Sequence, residues 1–445
     1  MLDAAAPPLT AHRLASFVAG LRMVDVPQRV LERAELSVLD TVAAALGGVP
    51  TANARQMRRS GQAFFGAGPC KAWFTDAKMH RAAALLANCA AASALDIDDG
   101  HRGASGHPGA AIVPAVLMEA NDLGVDGRKI LAAVAIGYDI ALRIASARLP
   151  GTVKTYSSGR WTGYGVAAAI GWLRGLPQPT LVHAMTIAGA EAPENLPAGS
   201  YRRLSSVKGS SPWSTLTAAF AVERAIAGAD GPEDSLDRAS VYDPAAIHGD
   251  LGSRWLIEET YLKPYASCRY THPSIDAVLN MVGERPPSPT EIHKLEVEVF
   301  PEAFTITNER HPATLESAQF SIPFCLALAT LRGAAAFRPL TEGMLRDSEV
   351  LELSDRVEMT VGPDLVGTFP AMTASRVRLR LDRGEAQCMI RTPLGDTSNP
   401  MGRTQVEQKM LDLSLATRNG IDIARSIAGD CGRLLTGDVR LVQRL

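Results

Sequence analysis

The chain has 445 residues, more than one hydrophobic core usually serves, so two domains are expected. Hydrophobic residues make up 46% and charged residues 21%, an ordinary globular balance, and the formal net charge is −2. That charge recruits neither nucleic acid nor an anionic membrane, so neither is expected as a partner.

The N-terminal stretch MLDAAAPPLTAHRLASF lacks a basic start followed by an apolar run, which predicts no signal peptide. In LASFVAGLRMVDVPQRVLERAELSVLDTVAAALGG, apolar residues recur at three- and four-residue steps, the helix period. Val26-Pro27 is expected to break the first helix and Gly47-Gly48 to end the second. HRAAALLANCAAASALDI reads as another helix, so rich in alanine that it must pack closely. Further helices are expected in GRKILAAVAIGYDIALRIASARL, GYGVAAAIGWLRGL, PTLVHAMTIAGAEA and WSTLTAAFAVERAIAGA. Long alanine-rich helices in series point to a bundle buried on two sides. No alanine-rich stretch runs ~18 positions without a charged or polar residue, so no membrane span is predicted.

The texture changes after Lys263. HKLEVEVFPEAF and RVEMTVGP alternate apolar and polar residues, the strand period. SRVRLRLDRGEAQCMIRTP reads as a hairpin turning at Asp382-Arg383-Gly384-Glu385. PSIDAVLNMVGE and AQFSIPFCLALATLRG are helical between them, and RTQVEQKMLDLSLATRNG returns to helix. The expected fold is mainly α with an α+β second domain. A discontinuous all-helical domain over 1–264 is completed by 402–445, and a smaller α+β lid covers 265–401. The six cysteines form no CxxC pair, which suits reduced thiols in a cytoplasmic enzyme.

The densest polar constellation is ALDIDDGHRGASGHPGAAIVPAVL. It holds Asp96, Asp98, Asp99, His101 and His107 within twelve residues, spaced by four glycines that let a loop approach a ligand closely. Three readings stay open from the residues alone. Carboxylates could orient an imidazole for acid/base work, Asp and His could ligate a metal, or the aspartates could simply cap helices on a solvated loop. No HxH or HExxH spacing supports the metal.

LDIDDGHRGASGHPGAAIVPA resembles the signature of the MmgE/PrpD family. VLDTVAAALGG, GYDIALRI, SSVKGSSPWSTLTAAFA, YLKPYASCRYTHPSIDA and SAQFSIPFCLALA resemble other segments of that family, in the same order. The resemblance implies a large helical domain with an α+β lid, and acid/base chemistry on small di- or tricarboxylates without metal or organic cofactor. The implied activities are those of 2-methylcitrate dehydratase, cis-aconitate decarboxylase and iminodisuccinate epimerase. It also implies active-site lysines at Lys208 and Lys263. A carboxylate makes its neighbouring C–H a poor acid, because a dianionic enolate must form, so fixed positive charge is needed beside the oxyanion. The expected catalytic groups are His107, Lys208, Lys263 and Tyr156. Substrate binding is assigned to Asp96, Asp99, His101, Arg269 and His272. The large apolar surface of the helices, together with the resemblance, points to a homodimer.

Three departures from the family pattern bear on the reaction. Gly100 stands where a threonine is usual, Tyr156 falls near the position of a histidine, and Phe324 stands where a tyrosine is frequent. The loss of an imidazole, a hydroxyl and a phenol weakens dehydration, which needs an acid to help hydroxide leave. The sequence reading therefore favours an epimerase of the iminodisuccinate type. A dehydratase or decarboxylase is its alternative, and a non-catalytic small-acid binding protein is the alternative of another class.

Overall fold

A computed structural model describes residues 8–153, 158–196, 208–283, 285–415, 417 and 419–445. The first part of the chain is helical. It contains α1 (Thr10–Gly20), α2 (Gln28–Gly48), α3 (Ala52–Phe65), α4 (Arg81–Ser93), α5 (Gly109–Leu123) and α6 (Gly127–Ser146). These are followed by α7 (Gly159–Leu173), α8 (Gln178–Ala190), α9 (Ser210–Ile226) and the short α10 (Pro244–His248). A two-stranded hairpin, β1 (Cys70–Lys71) and β2 (Lys78–Met79), interrupts the series. Helix α7 lies against α6, α8 and α9, and α4 lies against α2 and α9. The close approach expected of alanine-rich helices is most acute where α6 crosses α7. A Cβ on Gly165 would stand 2.2 Å from the Gly137 carbonyl oxygen, so no larger residue fits at that crossing.

The second part mixes helix and strand. It comprises α11 (His272–Val282), β3 (Ile292–Val299), α12 (Leu315–Gln319), α13 (Ile322–Arg332), α14 (Ser348–Arg356), β4 (Val357–Val361), β5 (Ser375–Leu381) and β6 (Gly384–Ile390). The sheet order is β4-β3-β5-β6, with β3 and β4 parallel and the other pairs antiparallel. The burial of β5 alternates as the sequence predicts, with Ser375, Val377, Leu379 and Leu381 inside. The hairpin closes at Asp382-Arg383, with Leu381 opposite Gly384. The chain then returns through α15 (Arg403–Ser414), α16 (Gly420–Arg433) and α17 (Arg440–Arg444). Both α15 and α16 pack on α2. Among the described residues, no helix is long and apolar enough to cross a membrane.

Three boundaries differ from the sequence reading. Helix α1 stops at Gly20, short of Pro27, because Leu21 is extended and an Arg22–Asp25 side-chain pair closes a separate 3-10 turn. The run AQFSIPFCLALATLRG is two helices, because Ser321 is extended and its hydroxyl accepts the Phe324 N–H as a cap. Helix α4 ends at Ser93, before the aspartates, and that early end shapes the site.

Candidate active site

The turn after α4 carries the chemistry. Asp96 has a φ of +52°, a left-handed conformation that aspartate tolerates better than most residues. The end of α4 leaves carbonyl oxygens without helical partners, and side chains fill them. Lys208 Nζ donates to Ser93 O at 2.8 Å, and Gln319 Nε2 donates to Ala94 O at 3.0 Å. A cation at a helix C-terminus is also favoured by the helix dipole.

The Asp96 carboxylate joins two lysines. Its Oδ1 lies 3.1 Å from Lys208 Nζ and its Oδ2 lies 2.8 Å from Lys263 Nζ. Lys263 Nζ also donates to the Asp96 carbonyl at 2.6 Å, and its side chain is wholly buried. Lys263 is placed by the strand-like step before it. Tyr261 exchanges two backbone hydrogen bonds with Gly100, and the Leu262 N–H donates to Gly395 O. Burial alone would push the Asp96 carboxyl up. Lys208, Lys263 and His107 more than offset this and hold it well below its ordinary range.

His107 completes the cluster. Its Nδ1 sits 2.6 Å from the Asp99 carbonyl oxygen, and a carbonyl only accepts, so Nδ1 carries the hydrogen. Nε2 then has the free lone pair in the neutral ring, and it faces Asp96 Oδ1 at 3.9 Å. Burial and the nearby Lys263 ammonium lower the His107 pKa, against the opposing pull of Asp98 and Asp96. The ring is therefore a base at neutral pH. A base with a free lone pair beside two ammonium groups can take a proton from a carbon whose carboxylate those ammonium groups hold.

The other residues singled out by sequence lie elsewhere. Tyr156 is outside the described residues. Cys268, in the segment that holds Lys263, is half-buried, and its thiol is pushed up to about 12, chiefly by burial, which disfavours the thiolate. His101 turns away from the lysines. It accepts the Ala104 N–H on Nδ1 and presents Nε2 toward Glu259 at 3.9 Å, and burial lowers it to about 4. It lines a cavity of about 570 Å3 together with Arg102, Arg143, Arg254, Glu259 and Asp396, and this cavity reaches none of Asp96, His107, Lys208 or Lys263. The guanidinium groups there are already paired: Arg102 with Asp396, Arg143 with Asp250 and Arg254 with Glu259. A polycarboxylate finds more unspent positive charge at Asp96, where two ammonium groups share one carboxylate.

Arg269, His272 and Asp99, read as substrate-binding, make hydrogen bonds within the fold. Arg269 donates to Pro393 O and Leu394 O and stacks on the Tyr261 ring. His272 is fully buried between Ser267 O and Arg269. Asp99 is fully buried behind the turn, where it accepts the Gly109 N–H at 3.0 Å beside Tyr138. Burial first, then Asp40 and Asp98, push the Asp99 carboxyl up to about 7. An unfolded aspartate titrates near ~3.9. The stability this group contributes is therefore full below about pH 4 and lost as pH rises through its folded value. Asp99→Asn is expected to raise the thermal midpoint over the parent clearly at pH 8 and much less at pH 4.5. Equal shifts at the two pH values would contradict this assignment.

Two contributors were missed. Gln319 both holds Ala94 O and accepts from Lys208 Nζ at 3.2 Å. Its one signal was a polar residue in the otherwise apolar run AQFSIPFCLALA. Ser158, whose Oγ accepts the His107 N–H at 2.9 Å, gave none. Among the described residues, no group of three or more His, Cys, Asp or Glu side chains is arranged to hold a metal ion.

Comparison with known proteins identifies the family. Residues 12–250 match the MmgE/PrpD N-terminal domain and residues 265–419 match the MmgE/PrpD C-terminal domain. The chain belongs to the MmgE/PrpD family. A cis-aconitate decarboxylase of Aspergillus terreus is 23% identical over 456 residues, which cover 93% of this chain and 90% of that protein. A second, from Aspergillus terreus strain NIH 2624 / FGSC A1156, is 22% identical over 89% of this chain and 88% of its own. Within this MmgE/PrpD chain, the junction between the two matched regions, residues 251–264, contains Lys263. Asp96, His107 and Lys208 come from the N-terminal match and Gln319 from the C-terminal one.

The departure at Gly100 has a local cause. A Cβ there would stand 2.4 Å from the buried Tyr261 ring, so a threonine would fit only if that ring shifted. Phe324 is wholly buried in the core, on a helix of the C-terminal region.

Proposed function

We propose that this protein is a lyase acting on a small polycarboxylate, with decarboxylation of a cis-aconitate-like tricarboxylate as the leading reaction. The observation that carries the reading is the pair of ammonium groups on Asp96 facing the free Nε2 of His107. Lys208, partly exposed, would give a substrate carboxylate a hydrogen bond it now makes to Ser93 O or Gln319 Oε1, while the wholly buried Lys263 acts through its charge. As the bond to the departing carboxylate breaks and carbon dioxide leaves, its electron pair moves into the unsaturated acid, where the ammonium groups stabilise the growing negative charge. A proton drawn from solvent through His107 then closes the product on carbon. A bound polyanion favours the protonated imidazole, so the ring that is neutral in the free enzyme can become the donor in the complex. The two decarboxylase relatives support the lyase reading over the epimerase that the sequence favoured. Epimerisation stays as the second reading because the same groups could take and return a proton on one carbon.

Incubation with cis-aconitate and a panel of di- and tricarboxylates in D2O, followed by proton NMR and mass spectrometry, tests this. The expected result is loss of carbon dioxide with one deuterium on carbon. Label at the α carbon with no other change of mass would establish the epimerase instead. Water loss or gain would make it a hydro-lyase, and saturable binding without exchange a binding protein.

A further inference from the structure

Three carbonyls of the turn that carries Asp96 are held by side chains. Lys263 takes Asp96 O, and His107 Nδ1 takes Asp99 O. Between them, Ile97 O accepts from Lys409 Nζ at 2.6 Å. Lys409 belongs to α15, reached only after the chain has passed through the whole sheet region. Its ammonium is fully buried, and its other partner is Asp40 Oδ1 on α2, also fully buried, at 2.7 Å. A buried ion pair costs several kcal/mol of desolvation for each charge, and a well-packed apolar pair of the same shape is often as stable. Stability alone therefore gives this pair no advantage over leucine and methionine. A positively charged donor that can reach a peptide oxygen does have one: it fixes the Ile97 peptide between Asp96 in its left-handed conformation and Asp99, whose carbonyl orients His107.

We propose that Lys409 is a positioning residue of the active site, clamping the Ile97 carbonyl so that Asp96 and the Asp99 carbonyl hold the lysines and His107 in reacting geometry. It is fully buried, and its ammonium reaches the turn through the Ile97 carbonyl. The proposal rests on the reading of Asp96, Lys208, Lys263 and His107 as the reacting groups. Its test therefore runs beside Lys263→Met.

The test replaces the pair by apolar groups of matching shape, Asp40→Leu with Lys409→Met in one chain, so that no charge is left buried. The double variant is expected to keep the parent's thermal midpoint within a few degrees. It should lose kcat by about tenfold or more with KM little changed, the mark of reacting groups slightly misplaced. Restoring only the lysine's partner chemistry, in Lys409→Gln, gives a donor too short to reach both Asp40 and Ile97. Its kcat should also fall at unchanged KM, and it serves as the deciding variant if the double one does not fold. A folded double variant, or a folded Lys409→Gln, with full kcat overturns the proposal. If Lys263→Met also keeps full kcat, the active-site reading fails with it. If only Lys263→Met loses activity, the positioning role alone is wrong.

Discussion

Lys263→Met is expected to lower kcat by at least about 10²-fold on the true substrate, the usual effect of removing one donor from a developing oxyanion. The variant also leaves Asp96, which is almost completely buried, with Lys208 as its single ammonium partner. Breaking a buried pair by deleting one member typically costs ~3–5 kcal/mol, so a lower thermal midpoint should accompany the loss of turnover. The two effects separate by temperature. Turnover measured well below the variant's own midpoint, with circular dichroism matching the parent, reports the catalytic part alone. A folded variant with parental kcat would remove Lys263 from the site.

His107→Gln should be the second largest effect, about 10²- to 10⁴-fold in kcat, because glutamine has no basic lone pair to move a proton. The pH dependence gives a sharper test of the same residue. Burial and Lys263 lower the His107 pKa, so in the free enzyme the imidazolium that donates to carbon forms only below the ordinary imidazole value of ~6.5, and kcat/KM of the parent should rise as the solution becomes mildly acidic. The activity falls as pH rises through the lowered value. With the cation gone in Lys263→Met, that limb should move to higher pH. A parent limb above pH 6.5, or no movement in the variant, would show that another group governs the profile.

Much of this was legible in the sequence because periodicity and composition are local properties. The alternation in SRVRLRL gave β5 its inward face, and alanine-rich runs gave the close-packed helices. The two lysines came from motif resemblance, and they do converge on one carboxylate. The finer division of roles was illegible, since it depends on where the backbone turns. His101 and His107 share one glycine-rich loop. A bridge between His101 and Gly106 folds that loop back on itself and sends the two imidazoles to different sides. Asp96 and Asp99 are three residues apart, yet the left-handed φ at Asp96 points one carboxylate at the lysines while the other is buried behind Gly109. Lys409 looked like any charged residue on an amphipathic helix. A buried lysine declares itself only through its partner, here 369 residues away in the chain.

That separation has a consequence for how the molecule is made. Asp40 leaves the ribosome early, on a helix whose neighbouring residues are almost all destined for the core, and its counter-charge is synthesised only after the sheet region is complete. Until α15 docks, the helical half holds a carboxylate that prefers water at the place where its core should close, and the loop bearing Asp96 lacks one of its three carbonyl clamps. The early part of the chain is therefore expected to settle less firmly ahead of the rest than N-terminal domains often do during synthesis. Folding of the two halves is coupled through the late helices α15 and α16, which both pack on α2, and a nascent chain stopped within the sheet region would lack the Lys409 partner of Asp40.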